Sequence, residues 1–289
     1  MGSLFVVGTP IGNLGDVTLR ALDTLRQVSL IAAEDTRTTR KLLSHYDIHT
    51  PLISYYEHNR LQRLDQILGA LAEGDVALVS ESGTPSISDP GYHLVRAAIE
   101  AGFRVTPVPG PSAAIAALAA SGLPTDSFTF AGFPPRQRNR RRERLERLAW
   151  LEHTLVLYEA PHRLEESLAD LLDLLGDRRV CVARELTKVH EEFWRGTLEE
   201  ATERFRGQQR GEFTIVIEGR SEETWSREAV VKALISLREQ GLGPAEAARE
   251  VAAKAGWPRG EVYRLGVAVH RHESGADAVT PASEESDGA

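Results

Sequence analysis

The chain reads as an α/β protein: two α/β domains in succession, then a small C-terminal helical unit. Three observations carry this. Short apolar runs at 4–7, 30–33, 76–79 and 105–108 alternate with helical patterns. The runs are continuously apolar, as strands buried on both faces of a parallel sheet are. The length of 289 residues matches two domains at roughly 100–200 residues each.

Residues 4–7 form the first strand, followed by a Gly/Pro turn at 8–15. Asp16 is placed to cap a helix with Leu22, Leu25 and Val28 on one face. A strand at 30–33 follows. Leu61, Leu64, Leu68 and Leu71 recur at helical spacing. Strands at 76–79 and 105–108 each end in a Gly/Pro/Ser loop, and a small-residue helix at 113–120 follows Pro109-Gly110-Pro111. The pattern breaks at Leu123-Pro124-Thr125, so the first domain spans 1–122. The second, 123–222, runs as strand 128–133, an Arg-rich helix and strand 154–158. A helix on Leu164, Leu168, Leu171 and Leu175 comes next, then strand 180–183, helix 198–205 and strand 212–218. From 225 to 271 three helices are expected (227–239, 244–255 and 258–270), broken at Gly241 and Gly243 and at Gly256-Trp257-Pro258. They resemble a helix-turn-helix unit, with a helical cap lacking any partner as the alternative. Residues 273–289 read as a disordered acidic tail.

Composition narrows the function classes. Hydrophobic residues make up 42% and charged residues 26%, ordinary for a soluble globular protein. No run of eighteen apolar residues spans a membrane, and no signal peptide is visible. MGSLFV fails the myristoylation pattern at its sixth position. A cytoplasmic enzyme is expected. The single cysteine, Cys181 in VCVA, excludes a disulfide framework and reads as a buried thiol. Lys and Arg number 34 against 42 Asp and Glu, a net charge of −8. That average argues against a polyanionic partner, but five acids fall in 273–289, and RQRNRRRERLER at 136–147 carries seven Arg against two Glu.

Three loops sit at predicted strand ends, where ligands collect in an open parallel sheet. They are residues 8–16, 80–91 and 107–113, each mixing Gly for close backbone approach with Pro for a fixed turn. Each alone reads first as a plain turn; three at successive strand ends point to a site. Gly8 and Gly12 are spaced G-x-x-x-G, not G-x-G-x-x-G, so a dinucleotide site is only half matched by Glu34-Asp35 at the end of the second strand. No P-loop, H-E-x-x-H or G-x-S-x-G motif occurs, and no metal site is expected.

GTPIGNLGDVTLRAL, AAEDTR, VSESGTPSISDPGYHLV, PVPGPSAAIAAL, YEAPHRL, ARELTK and GEFTIVIEG occur in that order. This succession resembles the tetrapyrrole-methylase-fold family of S-adenosylmethionine-dependent methyltransferases, over about residues 4–270. The resemblance implies two α/β domains, a parallel sheet and then a mixed one, with S-adenosyl-L-methionine in the cleft between them. Within the family the motifs resemble the branch acting on ribosomal RNA. That implies methylation of the ribose 2′-hydroxyl of a cytidine in the decoding region of 16S rRNA, the small ribosomal subunit as partner, and a homodimer. One departure is visible: Glu81-Ser82 stands where family members typically carry Asp-Ala. By resemblance, the donor lies against Pro10, Gly83, Thr84, Pro85, Ile87, Ser112 and Ala113 of the first domain. Tyr158, Leu186, Phe213 and Thr214 of the second close over it.

The chemistry asks for positioning and a proton acceptor. Methyl transfer from a sulfonium needs nucleophile, carbon and leaving sulfur in line. A ribose hydroxyl needs its proton removed, and general-base help is worth about 10²–10⁴-fold. Candidate groups are the clusters Glu34/Asp35/Arg37 and Glu159/His162/Arg163, with Glu185 behind them. Asp35 holding Arg37, an exposed His162, and an ion pair between Glu185 and Arg184 are the structural alternatives. Arg136, Arg138, Arg140, Arg141, Arg142 and Arg144 are the expected RNA contacts, since Arg pairs bidentately with phosphate; a solvated helix of Glu/Arg pairs is the alternative. The helical unit is a second candidate contact. Two other functions stay open: a methyltransferase of this fold acting on a small macrocycle such as a precorrin, and a non-catalytic RNA-binding module.

Overall fold

A computed structural model describes residues 2–56, 59–220 and 225–273. The expected tail, beyond Glu273, lies outside the described residues.

The first sheet contains β1 (Ser3–Val7), β2 (Leu30–Ala33), β3 (Leu52–Ser54), β4 (Val76–Val79) and β5 (Arg104–Val108) in the order β3-β2-β4-β1-β5. All its pairings are parallel. Strand side chains alternate between faces. Ile31, Ala33, Ala77 and Val79 therefore pack on one side beneath α1 (Leu19–Gln27) and α2 (Thr36–His45). Ala32, Val76 and Leu78 pack on the other, beneath α3 (Arg60–Glu73) and α4 (Tyr92–Glu100). The cap of α1 is Thr18, whose hydroxyl accepts from Ala21 N at 3.1 Å. Asp16, expected there, lies in a preceding 3-10 turn at Leu14–Asp16, because the chain makes that extra turn before the helix starts.

The second sheet holds β6 (Phe128–Gly132), β7 (Thr154–Glu159), β8 (Arg179–Arg184), β9 (Glu192–Thr197) and β10 (Phe213–Ile217) in the order β6-β7-β10-β8-β9. It is mixed: β6 pairs β7 parallel and the rest are antiparallel. One face is covered by α6 (Arg138–Leu148), α7 (Leu164–Leu175) and α8 (Leu198–Arg204). The other is covered by α5 (Ala113–Ser121), which follows the first sheet in sequence. Ala114, Ala117 and Leu118 of α5 pack on Val156, Cys181, Ala183 and Val216. Cys181 is fully buried there, and burial pushes its thiol up from the ordinary value. Arg195 donates to the carbonyls of Ser121 (3.0 Å) and Ala120 (2.5 Å) at the C-terminus of α5. The turn at Gly122, where φ is +80°, ends the first unit along the chain, yet the helix before it belongs by packing to the second.

The helical unit is α9 (Arg227–Glu239), α10 (Pro244–Ala255) and α11 (Arg259–Glu273) around Val230, Leu234, Val251 and Val262. It docks on the second unit: Arg259 pairs with Asp173 at 3.2 Å, and Arg220 stacks over the Trp150 ring at 4.1 Å and reaches the Trp257 ring at 5.5 Å.

Candidate active site

The loops following β1, β4 and β5 are tied together by backbone. Thr9 N donates to Gly83 O (2.8 Å), Gly83 N to Thr9 O (3.0 Å) and Gly8 N to Val108 O (3.0 Å). A Cβ on Gly8 would stand 2.8 Å from Gly110 Cα, so only glycine allows this crossing. From the opposite side, the Tyr158 hydroxyl on β7 accepts from Ala114 N at 3.0 Å, and its ring lies 5.4 Å from that of Phe133.

Between the two sheets these loops enclose a cavity of about 320 Å³, of the size usual for small-molecule sites, about 300–1,000 Å³. Gly83, Thr84, Ile87, Ser112 and Ala113 line it from one side, and Tyr158, Leu186, Phe213 and Thr214 from the other. The two prolines expected beside them do not. Pro85 is buried behind the loop, and Pro10 lines an adjoining second cavity. Each fixes a turn whose neighbours face the space. Ser86 and Ser88 hold φ of +73° and +63°, so the rim of the cavity is strained backbone.

Parallel pairing of Ala33 with Val79 sets the residues after β2 and β4 side by side. Glu81 N donates to Glu34 Oε2 at 3.3 Å. Burial raises the Glu34 carboxyl, and the Glu81 and Asp35 charges raise it further against a hydrogen bond from the Glu81 backbone. Asp89, which lines the cavity, is pushed up to about 7, first by burial and then by the charge of Glu34. The sequence reading missed Asp89 because Ser-Asp-Pro-Gly reads as turn chemistry. Its only signal was its place in the longest of the three loops.

The other candidates are placed differently. Asp35 caps α2, accepting from Arg37 N (2.7 Å) and Thr38 N (3.4 Å) and pairing with the Arg37 guanidinium at 3.1 Å. That guanidinium first, then the backbone donors, hold its carboxyl below the ordinary range, which makes it a poor proton acceptor. Glu159 borders the cavity, but its side chain is 0% exposed, accepting from the Ser167 hydroxyl and from Ala160 N at 2.8 Å. Its lone pairs are engaged in holding β7 to α7. His162 is exposed on a 3-10 turn and lines neither cavity, because the turn points it away. Arg163 anchors the Pro134 carbonyl at 2.7 Å. Glu185 pairs with Lys188 at 2.9 Å.

The Arg-rich run divides into two faces. Arg136, Arg138, Arg140 and Arg144 are exposed, starting three residues beyond the cavity-lining Phe133. Arg141 is corrected: it is 1% exposed and bonded to Asp170 at 2.7 Å and Glu166 at 3.3 Å. Arg142 is likewise engaged by Asp170 (2.9 Å) and Asp173 (2.6 Å). The acids of α7 supply the partners that the run itself lacks.

Comparison with known proteins agrees with this geometry. Residues 3–202 match the model of the tetrapyrrole (corrin/porphyrin) methylases. The chain belongs to the tetrapyrrole methylase family. Members use S-adenosyl-L-methionine as methyl donor. Among curated relatives, a protein of Halalkalibacterium halodurans is 48% identical over 91% of this chain and 94% of its own length. One of Synechocystis is 51% identical over 92% and 97%. Both are called ribosomal RNA small subunit methyltransferase I. Among solved structures, a cobalt precorrin-4 methyltransferase shares the fold, with a TM-score of 0.58, 18% identity and coverage of 75% of this chain and 94% of that one.

The cavity suits the family's donor. Gly83 has φ of +77°, and a Cβ there would meet Ile11 Cγ2 at 3.3 Å, so the backbone forms a cradle that a side chain would fill. The walls are mostly apolar, with Thr84, Asp89, Ser112 and Thr214 as polar points.

Proposed function

We propose that this protein transfers the methyl group of S-adenosyl-L-methionine to the 2′-hydroxyl of a cytidine ribose in 16S rRNA of the small ribosomal subunit. The cavity between the two sheets carries the methyl-transfer part of this reading; the names of the relatives at 48% and 51% identity support the RNA part. The donor supplies an electrophilic methyl on a sulfonium. An O–C bond forms as the C–S bond breaks, and the hydroxyl proton must leave. Gly83, Thr84 and Ser112 hold the donor. Tyr158, by fixing the start of α5, keeps the two walls in register. Asp89 takes the proton at its carboxylate, since it lines the cavity and titrates near neutrality. Glu34 acts on Asp89 through its charge. Arg136, Arg138, Arg140 and Arg144 contact RNA phosphates. A homodimer buries Tyr92 and Ile99, seven residues apart on α4 and both exposed in the single chain; light scattering in solution tests that part.

The experiment is incubation with labelled donor and small subunits from cells lacking the modification, followed by mapping of 2′-O-methylation. Transfer to one cytidine is expected. No incorporation into those subunits, with donor binding intact, would overturn the reading.

A further inference from the structure

A nucleophile can reach the donor's methyl only from a space that opens onto the donor cavity. A second cavity does so. It measures about 520 Å³ and shares Ile11, Ser82 and Glu212 with the first. Three further cavities, on α9, between α7 and α10, and beside Trp150, share no lining residue with the donor site.

We propose that this second cavity receives the target nucleotide, and that Arg40 and Lys41 of α2 hold the phosphates flanking it. The proposal rests on the ribose methyl-transfer reading and adds the acceptor site to it. Three observations carry it.

The cavity is of mixed polarity and carries the groups a ribose phosphate would engage. Glu212 lies on the wall shared with the donor cavity, and Glu81 adjoins Ser82 on that wall. These are acceptors for sugar hydroxyls. Lys41 lines the same cavity from α2, as a donor for phosphate.

Two cations of α2 are unspent. Arg37 is neutralised by Asp35, and Lys188 by Glu185 and Glu212 (2.9 and 3.0 Å). Arg40 and Lys41 are exposed, and neither has an acidic side chain within 4.0 Å among the described residues. The Arg-rich run has already committed Arg141 and Arg142 to α7. Uncommitted cations pair best with a polyanion, because they give up no protein partner on binding.

The floor is built by close packing at a glycine. A Cβ on Gly12 would come within 2.4 Å of Lys188 Cγ and 3.0 Å of Thr187 Oγ1. That hydroxyl is buried without a hydrogen-bond partner among the described residues, and Glu185 and Thr187 hold φ of +49° and +64°. The strained segment is thus packed directly under the Gly12 turn.

The test is the double variant Arg40→Gln, Lys41→Gln in the full chain. Readouts are donor affinity by calorimetry, KM for small subunits, and affinity for a single-stranded RNA fragment spanning the mapped cytidine, at several salt concentrations. Donor affinity is expected to stay unchanged and KM to rise at least tenfold. The slope of log affinity against log salt should fall by about 1.4, because two phosphates of a single strand are no longer neutralised, at about 0.7 each. If the native chain methylates subunits and the variant keeps its KM and salt slope, the inference is overturned. Loss of donor affinity in the variant overturns it as well, since the two cations would then serve the fold. If the native chain itself transfers no methyl group, the underlying reading fails instead.

Discussion

Replacing Asp89 by Asn moves activity and stability in opposite directions, which separates a proton acceptor from a structural carboxyl. Asn keeps the volume and removes the charge. The carboxyl is held near 7, against an ordinary 3.8, by burial first and by Glu34 second. Below that value the base form is scarce, so kcat/KM, which reports the free enzyme, falls about tenfold per pH unit on the acid side and levels off above neutrality. General-base help of about 10²–10⁴-fold sets the loss in Asp89→Asn, and the acid limb should vanish with it. Stability runs the other way. Between 3.8 and about 7 the folded chain holds a proton that the unfolded chain releases. The stability this confers is complete below 3.8 and is lost as pH rises through about 7. Asn carries no such penalty. At mildly alkaline pH the variant should be the more stable protein, on the order of 1 kcal/mol once solvent screening of a half-buried group is allowed for. The assays are methyl transfer to small subunits across the neutral range and thermal melts at acid and alkaline pH. A variant active within a few-fold of the parent, or one that retains the acid limb, refutes the assignment of Asp89.

Further outcomes follow from the same geometry. Gly83→Ala puts a side chain where φ is +77° and Ile11 Cγ2 is 3.3 Å away; donor affinity should fall at least tenfold by calorimetry. Arg141→Ala leaves Asp170, 3% exposed, with only Arg142 and a distant Arg138. Breaking such a buried pair costs about 3 kcal/mol, visible as a lower Tm, while transfer at permissive temperature persists. Tyr158→Phe strands Ala114 N–H, at about 1–2 kcal/mol, and should raise the donor Kd, because the start of α5 loosens. Replacing Arg136, Arg138, Arg140 and Arg144 together by Gln should weaken RNA binding, with a shallower salt dependence and a small fall in Tm, because Arg144 also donates to Ala131 O at 2.9 Å and Arg138 lies 3.7 Å from Asp170.

Much of the fold was legible because local pattern and burial agree. Residues 30–33 and 76–79 read as strands apolar on both faces, and they lie inside a sheet covered on both sides. The helices at 227–239 and 244–255 carry their breaks in Gly and Pro, and their bounds match. Less legible were β3, three residues long, and β9, whose EFWRGT alternates poorly and lies at an edge beside β8. The small-residue helix α5 was legible as a helix but not by position. Its near-uniform Ala surface names no face, and only packing puts it on the second sheet.

Local pattern along the chain was enough for the α/β alternation, the three loops that line the cavity, the buried Cys181 and the family resemblance, because these depend on residues near one another in sequence. Which charges are free to act emerges only on folding. Asp89 reads as a turn residue until β2 and β4 pair and bring Glu34, fifty-five positions earlier, within reach of it. The Arg-rich run reads as one basic patch until α6 meets α7 and Asp170 draws Arg141 and Arg142 inward. A net charge of −8 is a sum over the chain, whereas binding and proton transfer depend on distances between charges, and folding sets those.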